Sequence, residues 1–311
     1  MATTKTRTNY KGTSKELRRN YKGKFWTFLT EMIEIGNIFN ECDTALGEVM
    51  TKLYHDRPDY FLLFLSQAEY NPAFKNIEGV SLYMTDYSWD FHINHYQRNY
   101  IVNYLNRNYK KPGYSYSEEN IDDLVTELMI YSNVWEDVCF LKFLMRLAQL
   151  IDGKDYVWVT DLEYHTELYE TIHNEIIAPL KNQHLHLGKI IESAYSSNVR
   201  NAFSHSMYSI YVDSREIQLW GGRSKERSWR QKITFDEFQE KFLMTIRIWN
   251  MLFHLIAECR ECAAKDKLMT RMIPIEEGKK KMQIWAEMRK RGDNYEPCFI
   301  GQVINSKKDN K

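Results

Sequence analysis

A mainly α-helical protein with one small β-hairpin late in the chain is what this sequence predicts. Three observations carry that expectation. Glycine and proline are scarce, 13 and 6 in 311 residues, too few for a loop-rich or all-β chain. Apolar residues recur at spacings of three and four over most of the length, the beat of an amphipathic helix. The period changes to two around residues 208–220, the beat of a strand pair. Apolar side chains make up 43% of the chain, enough for a sizeable core.

The elements follow in order. Residues 1–20 are polar and basic and are expected to form a flexible arm. Residues 21–115 read as a helical, aromatic-rich region. From Lys24 to Leu53 the pattern gives one broken or two short helices. A helix from Pro58 to Gln67 follows, with the proline in its first turn. Another spans Trp89 to Tyr109, and Lys111-Pro112-Gly113 breaks the chain.

A new unit occupies 116–265. Ser117 is a good N-cap, and Glu118, Glu119, Asp122 and Asp123 favour the positive end of the helix dipole. The helical beat then runs from Ile121 to Leu150, where Asp152-Gly153-Lys154 ends it. The next helix is expected over Asp161 to Ala178, with Leu162, His165, Leu168, Tyr169, Ile172 and Ile176 on one side and Pro179 as its stop. A third runs from Leu185 to Phe203, with Leu187, Ile190, Ile191, Ala194 and Tyr195 on its apolar face. Tyr208 to Asp213 and Glu216 to Trp220 alternate as a hairpin, with Asp213, Ser214 and Arg215 as the turn. Gly221 and Gly222 open a basic loop. Thr234 and Glu237 are spaced as a capping box, and a long helix runs from there to Ala264. Residues 266–311 form a basic C-terminal extension, with a helical run at 276–291 and a strand-like piece from Cys298 to Ile304.

Composition narrows the function. Lys plus Arg equals Asp plus Glu, 42 each, yet the charge is segregated. Residues 1–24 are strongly basic, 118–175 are acidic, and the C-terminal stretch is basic again. Basic ends suit a nucleic acid; solvated charged helices give the same pattern. Five cysteines carry no framework spacing, and Cys259 and Cys262 lack the second pair a zinc site needs. His92 and His95 stand three apart, and two histidines are too few by themselves for a metal site. No phosphate loop, dinucleotide fingerprint or HExxH string occurs, so neither metal nor cofactor is expected. No apolar run is long enough for a membrane span and no secretory h-region is present, which predicts a cytoplasmic protein with no membrane partner.

The stretch from Asn198 to Tyr208, NVRNAFSHSMY, holds the richest chemistry. Arg200 and His205 are five apart, about 140° around and about 7.5 Å along an ideal helix. Asn201 and His205, four apart, share a face. An arginine holds a phosphate with paired donors, and a histidine moves protons near neutral pH. Together they fit RNA cleavage by the neighbouring 2′-hydroxyl. An arginine and a histidine near a helix C-terminus are also common for dipole reasons alone. Tyr208 and Ser204 are supporting candidates, and Glu136 and Asp137 are candidates to orient Arg200. In the basic loop Arg223, Lys225, Arg227 and Arg230 surround Trp229, a set suited to phosphates and a stacked base.

The string Arg200-Asn201-Ala202-Phe203-Ser204-His205 resembles the RNxxxH signature of the HEPN superfamily. That resemblance implies an all-helical domain built around a four-helix bundle, here over 116–265, with the hairpin inserted after the motif helix. It implies a metal-independent endoribonuclease in which Arg200 and His205 are catalytic and Asn201 gives polar support. The substrate would be RNA, the site would form across a homodimer, and the setting would be phage defence or a toxin held by an antitoxin or another regulatory partner. Some members of the family only bind RNA or assemble complexes, so a non-catalytic module is the alternative. A third reading places a small-molecule pocket in the aromatic-rich first 115 residues.

Overall fold

The computed structural model describes residues 38–66, 68–70, 82–84, 95–109, 114–156, 168–221, 229–265, 273–277, 280–291 and 294–304. Within them the chain is mostly helical and carries small antiparallel sheets.

Helix α1 (Ile38–Asp56) places Cys42, Leu46, Val49 and Leu53 at alternating spacings of four and three, and all four are buried. Helix α2 (Pro58–Ser66) begins on its proline as the sequence predicts. A short strand pair, β1 (Ala68–Tyr70) with β2 (Leu82–Met84), was not expected; it precedes α3 (His95–Asn108). The stretches 1–37 and 89–94 lie outside the described residues, and with them the basic arm, His92 and the start of two expected helices.

A 3-10 turn (Glu118–Asn120) leads into α4 (Ile121–Glu136), and α5 (Val138–Ile151) follows. The single helix expected here is broken at Asp137. Its carboxylate accepts hydrogen bonds from the backbone N–H groups of Cys139 (2.9 Å) and Phe140 (3.4 Å) and so caps α5. An aspartate that can bond its own following backbone competes with helix continuation.

Helix α6 is a composite: one turn (Leu168–Glu170), a π-helical segment (Thr171–Ile177) and an α-helical end (Ala178–Asn182). Pro179 does not stop it, contrary to expectation. The wide turns close with the N–H of Ala178 on the carbonyl of His173, and the proline falls in the first turn of the next segment. Its missing donor costs little there. The expected start at Asp161 lies outside the described residues.

The helix expected over Leu185 to Phe203 is two helices, α7 (His186–Ala194) and α8 (Ser197–Ser204). Tyr195 and Ser196 between them are extended (φ −81°, ψ 134° and φ −141°, ψ 108°). Buried Tyr131 of α4 fills the break. Its hydroxyl donates to the carbonyl of Ala194 (2.9 Å) and accepts from the N–H of Ser196 (2.7 Å).

Strands β3 (Tyr208–Tyr211), β4 (Glu216–Gly221) and β5 (Trp229–Thr234) form an antiparallel sheet in that order. The hairpin is therefore the first half of a three-stranded sheet, and the end of the expected basic loop is its third strand. Arg215 closes the turn at φ 52°, its N–H on the carbonyl of Val212 (3.1 Å). The guanidinium of Arg215 donates to the Tyr116 carbonyl (2.7 Å), Ser115 Oγ (2.9 Å) and Asp236 Oδ1 (2.9 Å), joining the sheet to the chain ahead of α4 and the start of the helix that follows.

That helix, α9 (Phe235–Lys265), starts on the expected capping box. Thr234 N–H donates to Glu237 Oε2 (2.8 Å), and the N–H of Glu237 returns to Thr234 Oγ1 (3.1 Å). It packs against α1, α4 and α7, and its Phe238, Phe242, Ile246, Trp249, Leu252 and Ile256 are buried. One core cluster runs from Cys42 on α1 to Ala263 on α9.

Beyond α9 the chain forms β6 (Ile273–Glu277), β7 (Lys280–Arg291) and β8 (Asn294–Ile304), paired antiparallel in order. The helical run expected at 276–291 is thus a strand. Met282, Ile284, Ala286 and Met288 also alternate with period two, and pairing along the whole length of β7 decides between the two periods. The strand-like piece expected at Cys298 belongs to a longer strand.

Candidate active site

The motif is carried by α8, eight residues long and capped at both ends. Ser196 Oγ accepts from the N–H of Val199 (3.4 Å) at the start. At the other end the N–H of Met207 bonds the carbonyl of Ala202 (2.6 Å) and that of Ser206 bonds the carbonyl of Phe203 (3.0 Å). This is a Schellman closure with Ser206 in the left-handed region at φ 54°. It fixes His205 as the C-cap residue, where its side chain is exposed.

Val199 and Ala202 bury the inner face of α8, which packs on α4 and β4. The polar residues are left on the outer side. Arg200 is half-buried, and both its Nε and Nη2 donate to Oδ1 of Asn201, the Nε contact at 3.1 Å. Two of the five guanidinium donors are thereby committed, which fixes the plane of the group and leaves the other three for an anion. Asn201 thus orients Arg200, the role expected of Glu136 or Asp137. Glu136 instead accepts from Ser204 Oγ (3.0 Å) and ties the end of α4 to the end of α8. Asp137 is occupied as the α5 cap.

Tyr208 opens β3, and its ring stacks on Phe203 (centroids 5.6 Å, 30°), holding the sheet against the motif helix. Asn198 Nδ2 donates to Gln231 Oε1 on β5 (2.7 Å). Of the basic set, Arg230 is exposed on β5, whereas the Trp229 ring lies over Gly221 and packs against the core. A Cβ at Gly221 would meet that ring at 2.6 Å, so the glycine is what lets the indole lie there. Trp229 is therefore a sheet residue and not a tip residue of a loop. Arg223, Lys225 and Arg227 lie outside the described residues.

Sequence reasoning placed Tyr195 on an apolar helix face and passed over His173. In the structure Tyr195 occupies the α7–α8 break, 5% exposed, with its ring 5.0 Å from that of Trp135 and 6.4 Å from that of His173. Its hydroxyl has no hydrogen-bond partner among the described residues. Burial pushes that hydroxyl up to about 12; the charge of Arg200 works against this, and Tyr169 and Glu136 add to it. The signal available in the sequence was a tyrosine directly ahead of a Ser-Ser N-cap, where a helix face ends.

Among the described residues no group of three or more His, Cys, Asp or Glu side chains is placed to hold a metal ion. None of the described helices is long and apolar enough to cross a membrane. No family model, curated protein or solved structure matches this chain.

Proposed function

We propose that this chain is a metal-independent endoribonuclease of the HEPN type, acting as a phage-defence or toxin effector and working as a homodimer. The observation that carries the reading is the state of the RNxxxH string. It occupies one short, doubly capped helix on which Asn201 holds Arg200 and the helix end presents His205 to solvent. In this reading α4, α5, the α7–α8 pair and α9 are the bundle helices, and the β3–β5 sheet is the insertion after the motif.

The chemistry needs two proton carriers and one anion holder. The 2′-oxygen of a ribose attacks the adjacent phosphorus, an O2′–P bond forms, and the P–O5′ bond breaks. His205 of one copy takes the 2′-hydroxyl proton, and the protonated His205 of the second copy gives a proton to the leaving 5′-oxygen. The free donors of Arg200 hold the charge that builds on the phosphate. The products are a 2′,3′-cyclic phosphate and a 5′-hydroxyl. In this reading the second copy docks along α4. Val125, Met129, Asn133 and Glu136 form an exposed stripe along α4 that ends at the Glu136–Ser204 bond beside the motif. An antitoxin or other regulatory partner would act by covering the same face.

The test is cleavage of a sequence-diverse RNA pool by purified protein, with the ends of the products identified. Arg200→Ala and His205→Ala are each expected to lower the rate about 100-fold or more while the helical signal is retained. Chelation with EDTA leaves the rate unchanged. A wild-type protein that leaves every RNA intact, or an Arg200→Ala variant of wild-type rate, sinks the reading.

A further inference from the structure

The aromatic groups beside the motif carry the reading further, to how the substrate is gripped. We infer that Tyr169, His173 and Tyr195 form a subsite for the base of the nucleotide whose phosphate rests on Arg200. The inference rests on the reading of Arg200 as a phosphate holder.

Three rings from two elements stand in a row. Tyr169 and His173, four apart on α6, lie with centroids 4.3 Å apart. His173 lies 6.4 Å from Tyr195, which sits in the α7–α8 break five residues ahead of Arg200. The row grades from solvent to interior. Tyr169 is 51% exposed, His173 is half-buried and Tyr195 is 5% exposed. A large aromatic left half in water at the outer end of such a row offers a π face to a ligand.

The inner end points to a ligand as well. The Tyr195 hydroxyl is buried and unpaired among the described residues. A buried hydroxyl without a partner costs free energy that a bound acceptor would recover. A base carries such acceptors in its ring nitrogens and carbonyl oxygens. His173 also sits in a π-helical segment, a rare turn that is frequently found at functional sites. Stacking between rings is stronger for the larger base, so the subsite favours a purine over a pyrimidine in single-stranded RNA.

The test uses full-length protein and fluorescein-labelled pentaribonucleotides, one all-A and one all-U, 2′-O-methylated so that they are not cut. Binding is read by anisotropy. Wild type binds the A-form more tightly. Tyr169→Ala and His173→Ala each weaken it roughly ten- to hundred-fold, the loss of one stacked base. Tyr195→Phe keeps the ring and reduces the preference for A over U. Arg200→Ala weakens both oligonucleotides alike. If Arg200→Ala weakens binding but the three aromatic variants match wild type, the subsite is wrong and the nuclease reading stands. If Arg200→Ala changes neither binding nor cleavage, the nuclease reading falls with it. Failure of the wild type to bind either oligonucleotide at millimolar concentration overturns the subsite. So does a Tyr169→Ala loss that light scattering traces to dissociation of a dimer.

Discussion

Replacing Glu127 with glutamine is expected to abolish a specific part of the pH dependence of stability. Glu127 lies on α4 with no exposed surface. Its Oε1 accepts from the hydroxyls of Tyr104 (2.9 Å) and Tyr109 (2.7 Å), and its Oε2 from Tyr109 (2.7 Å) and Tyr116. Burial pushes the carboxyl up from 4.5 to about 8; the three tyrosine donors oppose this and Asp123 adds to it. Between those two values the folded chain holds a proton that the unfolded chain has released. Stability therefore falls as pH rises through that window, by at most about 1.4 kcal/mol per pH unit. From pH 5.5 to 7 the loss comes to about 2 kcal/mol. The protonated acid has a place for its hydrogen, because Tyr104 can turn its own O–H to the Asp123 carbonyl (3.1 Å) and accept from Glu127. Glutamine copies that neutral form at every pH. Urea unfolding of both proteins, read as the difference in free energy at pH 5.5, 6.25 and 7, is expected to move toward the variant by about 2 kcal/mol. A flat difference refutes the argument. It is also what results if the three tyrosines keep the carboxylate ionised despite its burial, because the folded and unfolded chains are then both charged throughout this window.

Two further variants test the joints of the fold. Tyr131→Phe removes the hydroxyl that bridges Ala194 and Ser196 and leaves a backbone donor without a partner, so a loss of about 1–3 kcal/mol is expected, with faster amide exchange at Ser196. Unchanged urea midpoint and exchange would show that the α7–α8 break does not depend on it. Arg215→Ala removes three side-chain bonds between the sheet turn, residues 115–116 and Asp236; because the site is part-exposed, about 1–2 kcal/mol is expected. A loss no larger than that of Asp236→Ala would reduce the staple to a surface ion pair.

The parts of the fold that were legible in the sequence are those set by one local rule. Pro58 marked the start of α2, Thr234 and Glu237 marked the start of α9, and the apolar beat of three and four up to Leu53 marked a helix there. The misses are places where a partner distant in sequence decides. Tyr131 stabilises an extended Tyr195-Ser196 from more than sixty residues away. Pro179 continues a helix because the π-helical segment ahead of it absorbs the change in register. The β5 strand needed β4 beside it, and its Trp229 needed the bare backbone of Gly221. At β7 two periods fit one string of residues, and only pairing with β8 separates them.

The same distinction shapes the candidate site. Its residue types could be read from eleven positions, but its geometry depends on contacts that no short window contains. Had α7 run on into α8, one helix would carry Arg200, and its direction would follow the apolar face of Leu187, Ile191 and Ala194. The break frees α8 to settle on its own apolar side chains, Val199, Ala202 and Phe203, against α4 and β4. What then fixes it is mainly polar: Tyr131 at its start, Asn198 on Gln231, Ser204 on Glu136 and the Schellman closure at its end. Hydrogen bonds of this kind add little net stability, yet they define direction in a way apolar contacts do not. The large core of α1, α4 and α9 therefore sets whether the chain folds, while a handful of polar bonds sets where Arg200 and His205 point. Substitutions at Asn198 and Ser204, the members of the second group whose bonds are exposed, should alter the site well before they alter the melting of the whole.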